Sequence, residues 1–186
     1  SFFVHQNLIT SCSHFFAKAL KKYGKDEDGD NMWLEGEEGV IKMPTDEPTI
    51  FANYLQLIYR GYLPIGKSID EDISTMSETE GLVATKEVVN YEYVALSKLH
   101  VFCEKVRDTQ AKASVIIAFL EASLKKRHNG CTCSPEAATI TIIFGGTMAG
   151  DPLRELCADW YALQADNNWF QAGTAAKYHP EFVFDV

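Results

Sequence analysis

No run of apolar residues in this 186-residue chain approaches the roughly 18 that a membrane-crossing helix needs. Positive charge is also scarce: 17 Lys and Arg stand against 26 Asp and Glu, a formal net charge of -9. A surface that acidic repels phosphate backbones and speaks against nucleic acid as a direct partner. The cations that do cluster, Lys18, Lys21 and Lys22 and again Lys125, Lys126 and Arg127, fall late in predicted helices, where they suit the negative end of the dipole. No G-x-x-x-x-G-K-[ST] or G-x-G-x-x-G loop occurs, so nucleotide binding lacks its phosphate cradle. No G-x-S-x-G elbow presents a serine nucleophile. No charged leader precedes the first apolar residues and no internal repeat is visible. The opening at Ser1 reads as a fragment whose beginning lies upstream.

Five cysteines are present. Cys12, Cys103 and Cys157 fall within helical apolar patterns, where a reduced, buried thiol is the default, and that favours an intracellular setting, cytoplasm or nucleus. Cys131 and Cys133 form a lone C-x-C, too short for a zinc knuckle and without a second pair. Asp26, Asp28 and Asp30 fit positions one, three and five of a calcium loop, with Glu37 at position twelve. Position six, however, is Asn31 rather than glycine, and the stretch reads as a solvated acidic loop. Neither a metal nor another cofactor is expected. His5 and His14 lie close in sequence to Ser11, Cys12 and Ser13, the raw material of a hydrolase. Helix capping accounts for Ser13 and His14, and a ring-nitrogen hydrogen bond that anchors a turn accounts for His5.

Apolar periodicity organises the rest. Residues 2–5 predict a short strand running into helix, where Leu8, Ile9, Cys12, Phe15, Phe16, Ala19 and Leu20 recur three and four apart, with Ser13 capping a second short helix. Residues 39–44, bounded by Gly39 and Pro44, predict another strand. Asp46-Glu47-Pro48 starts a helix that carries Ile50, Phe51, Tyr54, Leu55, Ile58 and Tyr59 and stops at Gly61. Residues 65–90, rich in Ser, Thr, Asp and Glu, read as a flexible insertion. Two helices joined by a very short turn follow: one with Leu96, Leu99, Phe102, Cys103 and Val106, the other capped at Asp108 or Thr109 with Val115, Ile116, Phe119, Leu120 and Leu124. Residues 138–144 leave helix and strand both open. Asp151-Pro152 starts a helix with Leu153, Leu156, Cys157, Trp160 and Tyr161 inward, and residues 179–184 open a further one.

Phe3-Val4-His5, Leu8, Ser11, Ser13 and Phe15-Phe16 resemble the opening signature of BTB/POZ domains. The order that follows is also similar: Ile41-Lys42-Met43-Pro44, then Asp46 and Phe51, then Leu57-Ile58-Tyr59-x-Gly61-x-Leu63. The helices with Leu96, Leu99, Val101-Phe102 and Glu104-Lys105-Val106 look like that family's closing hairpin. Residues 147–160, with Asp151-Pro152-Leu153-Arg154, look like the extension on many fungal members. Two departures stand out: the family's first strand is absent, and the acidic stretches are longer than a compact BTB domain needs.

The resemblance implies an α+β fold, a BTB/POZ-like small mixed sheet packed on a cluster of helices, over residues 1–127. Within it, 24–38 form an acidic loop and 65–90 the insertion. A mostly helical C-terminal extension occupies 128–186. It also implies a non-enzymatic interaction module, a scaffold or adaptor that holds other proteins, a second copy of itself, or a cullin scaffold. The expected partner surface comprises Tyr59, Tyr62 and Leu63, and in the insertion the cullin-type element with Ile69 and Glu71. His5, Ser13, Phe16 and Gly61 are the expected structural anchors. Alternatives are a substrate adaptor of a cullin-based ubiquitin ligase, a transcriptional regulator with its DNA-binding part elsewhere, and the hydrolase.

Overall fold

The computed structural model describes residues 1–21, 38–63, 77–127, 130, 132–164 and 175–186. They fold as a succession of helices: α1 (Gln6–Cys12), α2 (His14–Ala19), α3 (Pro48–Arg60), α4 (Glu78–Val106), α5 (Thr109–Leu124), α6 (Ala137–Gly146), α7 (Pro152–Gln164) and α8 (Pro180–Asp185). No β-strand occurs among the described residues, so the chain is all-α there and the expected mixed sheet is overturned. Residues 2–5 and 39–43 are irregular. An extended stretch becomes a strand only when a neighbour completes its ladder of hydrogen bonds. The first stretch instead uses side chains: the Phe2 ring sits edge-on to Phe51 with centroids 5.0 Å apart, and Val4 packs against the core.

The 29-residue α4 is the axis of the molecule, about 43 Å long at 1.5 Å per residue. Its middle and C-terminal half carries Leu96, Leu99, Phe102, Cys103 and Val106, all buried, three and four apart on one stripe. Arg107 ends it in a left-handed conformation at φ 56, a strained geometry for a side-chain-bearing residue. Asp108 then caps α5 by accepting from the Ala111 amide at 2.9 Å. The two helices pack antiparallel, and α2, α3 and α6 also pack on α4. Helices α7 and α8 close over α6, where Phe144, Tyr161 and Phe182 meet edge to face. One buried cluster runs from Ile9 and Phe16 through Tyr54 and Tyr93 to Phe182, so residues on both sides of the expected 127/128 boundary share it.

Half of the expected insertion is helix: α4 begins at Glu78, and residues 64–76 lie outside the described residues. The start signal is a capping box, in which the Glu80 carboxylate accepts from the Ser77 amide at 3.4 Å while the Ser77 side chain serves the N3 backbone. Its inner positions are Gly81, Thr85 and Val89, four apart and buried. Small and polar residues carry the inner face there, which is why a search for large apolar side chains passes over it.

Residues 138–144, open between helix and strand in sequence, are helical in α6. Thr139, Ile140, Ile143 and Phe144 are buried at a spacing that only a helix gathers on one side. The Thr141 hydroxyl donates to the Ala137 carbonyl at 2.9 Å, the helical bond a threonine can make one turn back. Gly146 closes this helix against α4. A Cβ there would lie 2.5 and 2.6 Å from the two methyls of Val101, so the missing side chain sets how closely α6 approaches α4.

Candidate functional site

The expected partner surface begins where α3 ends. Gly61 caps the helix in the left-handed region at φ 71, its amide bonded to the Leu57 carbonyl at 2.8 Å. Past this turn, Tyr62 and Leu63 lie beside α4 and α5 and line a groove of about 660 Å³. Leu57, Leu96, Ile117, Ala118 and Ala122 form its apolar walls, with Glu92, Ser114, Glu121 and Lys125 among the polar lining. The outward side of α5 continues the apolar surface, because Ile117 is 58% exposed and Leu124 65% exposed, with Leu120 between them also exposed. Leu120 and Leu124, read from sequence as inward residues beside Val115 and Phe119, thus belong to the opposite side of the helix. Apolar residues surround α5, and periodicity alone could not say which side faces the core.

Tyr59 does not join this groove. Its hydroxyl lies 2.8 Å from His5 Nδ1 and accepts from the His5 backbone amide at 2.9 Å. His5 precedes α1 and its carbonyl receives the Leu8 and Ile9 amides, so the pair ties the first helix to the last turn of α3. His5, expected as an anchor, meets Tyr59 here, while its expected place at the end of a strand falls with the strand. Ser13 donates to the Val106 carbonyl at 2.5 Å and accepts from the Phe16 amide at 3.2 Å. Phe16 is buried in the central cluster. Ile69 and Glu71 lie outside the described residues, as do the acidic loop from Asp26 to Glu37 and Cys131.

The chemistry a hydrolase would need is differently committed. The Ser11 hydroxyl donates to the Leu8 carbonyl at 2.7 Å, and Ser13 is engaged as above. Among the described residues, no histidine ring nitrogen pairs with a serine hydroxyl or a cysteine thiol. Nor does any group of three or more His, Cys, Asp or Glu among them have the arrangement to hold a metal ion. No helix of the described residues is long and apolar enough to cross a membrane.

A polar constellation does exist, and sequence reasoning missed it. His100 Nε2 on α4 lies 2.9 and 3.1 Å from the two Asp151 carboxylate oxygens. Lys112 on α5 reaches the same carboxylate at 2.8 Å and also bonds Glu104. The Leu153 amide donates to Asp151 at 2.9 Å, which caps the start of α7. Burial pushes the Asp151 carboxyl up, but hydrogen bonds from His100 and Lys112 outweigh it and hold the group below the ordinary carboxylate range. Burial likewise disfavours the Lys112 charge, yet its bonds to Asp151 and Glu104 hold its pKa above that of an ordinary lysine. A carboxylate orienting an imidazole supplies two of the three members of a catalytic triad. Here His100 exposes nothing to solvent and its Nδ1 has no partner among the described residues. The constellation joins α4, α5 and α7. Its members stand up to 51 residues apart, a distance no local motif spans.

Two further buried cations complete the internal wiring. Arg127 pairs at 2.8 Å with Glu92, a residue of the groove lining. Arg154 bonds the Phe144 and Thr147 carbonyls, reaches Glu181 at 2.5 Å, and stacks 4.7 Å over the Phe144 ring. Each buried guanidinium is paired, Arg154 with a Glu181 that is itself largely exposed, which is how a protein tolerates buried charge. At the groove, exposed apolar Ile117 stands beside polar Glu121 and Lys125. No family model matches the chain, and no curated protein or solved structure matches it significantly.

Proposed function

We propose that this chain is a protein–protein interaction module of the BTB/POZ type, acting as a scaffold or adaptor without chemistry of its own. The observation that carries the proposal is the groove itself. Tyr62 and Leu63, two of the residues expected at the partner surface, lie in it with Ile117 of α5. Leu120 and Leu124, three and seven residues beyond Ile117 on the same helix, are also exposed. Exposed apolar side chains at helical spacing on a firmly packed helix are what a partner's anchor residues use. The reading rests on the helical part of the resemblance alone, because the sheet that the family would supply is missing from the described residues. The buried titratable groups support it from the other side, since His100 and Asp151 are enclosed and committed to holding helices together.

The test uses purified components. Light scattering across a concentration series reports self-association, and calorimetry reports binding to a cullin N-terminal domain. Each is repeated with the double variant Ile117→Asp and Leu124→Asp, whose exposed positions leave folding intact. Association with either partner that weakens about tenfold or more in the variant, equivalent to about 1.4 kcal/mol, supports the proposal. Absence of both associations in the unaltered chain overturns it.

A further inference from the structure

We draw no further inference here: the strongest candidate, the cavity of about 720 Å³ between the first half of α4, the entry to α6 and Tyr161, carries nothing because the buried unpartnered side-chain atom that its lining holds among the described residues, Asn90 Oδ1, is itself shut away from solvent and so from any ligand, and nothing in the structure shows what fills it.

Discussion

The hydroxyl of Ser13 donates to the carbonyl of Val106 at 2.5 Å, across 93 positions of the chain. One short side chain thereby caps α2 and fastens it to the last turn of the longest helix. Val106 is the C-terminal residue of α4, so its carbonyl has no partner within that helix. Replacing Ser13 with alanine removes the cap and leaves that carbonyl buried without a donor. Each loss costs about 1 kcal/mol, so Ser13→Ala is expected to lower stability by about 2 kcal/mol. Urea unfolding followed by circular dichroism measures it, and an unchanged midpoint would show that the contact contributes nothing.

Gly146 and Val101 make the second prediction. With a Cβ only 2.5 Å from a valine methyl, Gly146→Ala forces α6 away from α4 and costs about 1–3 kcal/mol. The backbone offers no objection, since Gly146 is absent from the positive-φ glycines, and alanine is the better helix former. Val101→Ala should relieve the clash, so the double variant is expected to be more stable than the two separate effects predict. Strict additivity would mean that the close approach is not what matters.

Acid is expected to act through Asp151. Its folded-state pKa is depressed below the unfolded value of about 3.9. A depressed carboxylate contributes stability that is fully present above the unfolded pKa and fades as pH falls through the folded one. Asp151→Asn keeps a residue able to cap α7 but removes the charge that His100 and Lys112 face. The variant is therefore less stable than the parent at pH 7, and the gap narrows as pH drops below 4. Thermal melts of both proteins across that range give the comparison, and a gap constant with pH would rule out the charged role.

Thiol reactivity should divide by burial. Desolvation pushes the Cys157 thiol up to about 12 and raises Cys103 as well, with Asp108 adding to the shift. Both side chains are buried, whereas Cys12 and Cys133 are partly exposed. The thiolate is the reactive form, so in native protein at pH 8 Ellman's reagent is expected to leave Cys103 and Cys157 unmodified. Cys133→Ser should lower the fast-reacting count by one, while Cys157→Ser should not alter it. Rapid modification of Cys157 would indicate that α7 opens readily.

Much of the helical framework is legible in the amino-acid sequence. The stripes of α4 and α7, the glycine stop at Gly61, the serine cap at Ser13 and the aspartate starts at Asp108 and Asp151 all depend on residues within a turn or two of each other. Such signals are local, and local physics sets them. The expected strands fail for the complementary reason. Extended residues such as Phe2 to His5 carry strand propensity, but pairing is a property of two segments, and no described segment pairs with them. The first half of α4 is hidden from periodicity because its buried positions are Gly81, Thr85 and Val89, which look ordinary until a neighbour packs on them.

By itself, then, the sequence determined where most helices start, stop and turn their strongly apolar sides, because caps and periodicity act over a few residues. It also set the acidic surface, through composition. Only the tertiary structure decided which side of the all-round apolar α5 faces out, that Tyr62 and Leu63 line a groove while Tyr59 turns to His5, and that His100 and Lys112 share the buried carboxylate of Asp151. Each of those outcomes depends on which helix lies against which. Spacing along the chain does not encode a contact between residues 51 positions apart; packing does.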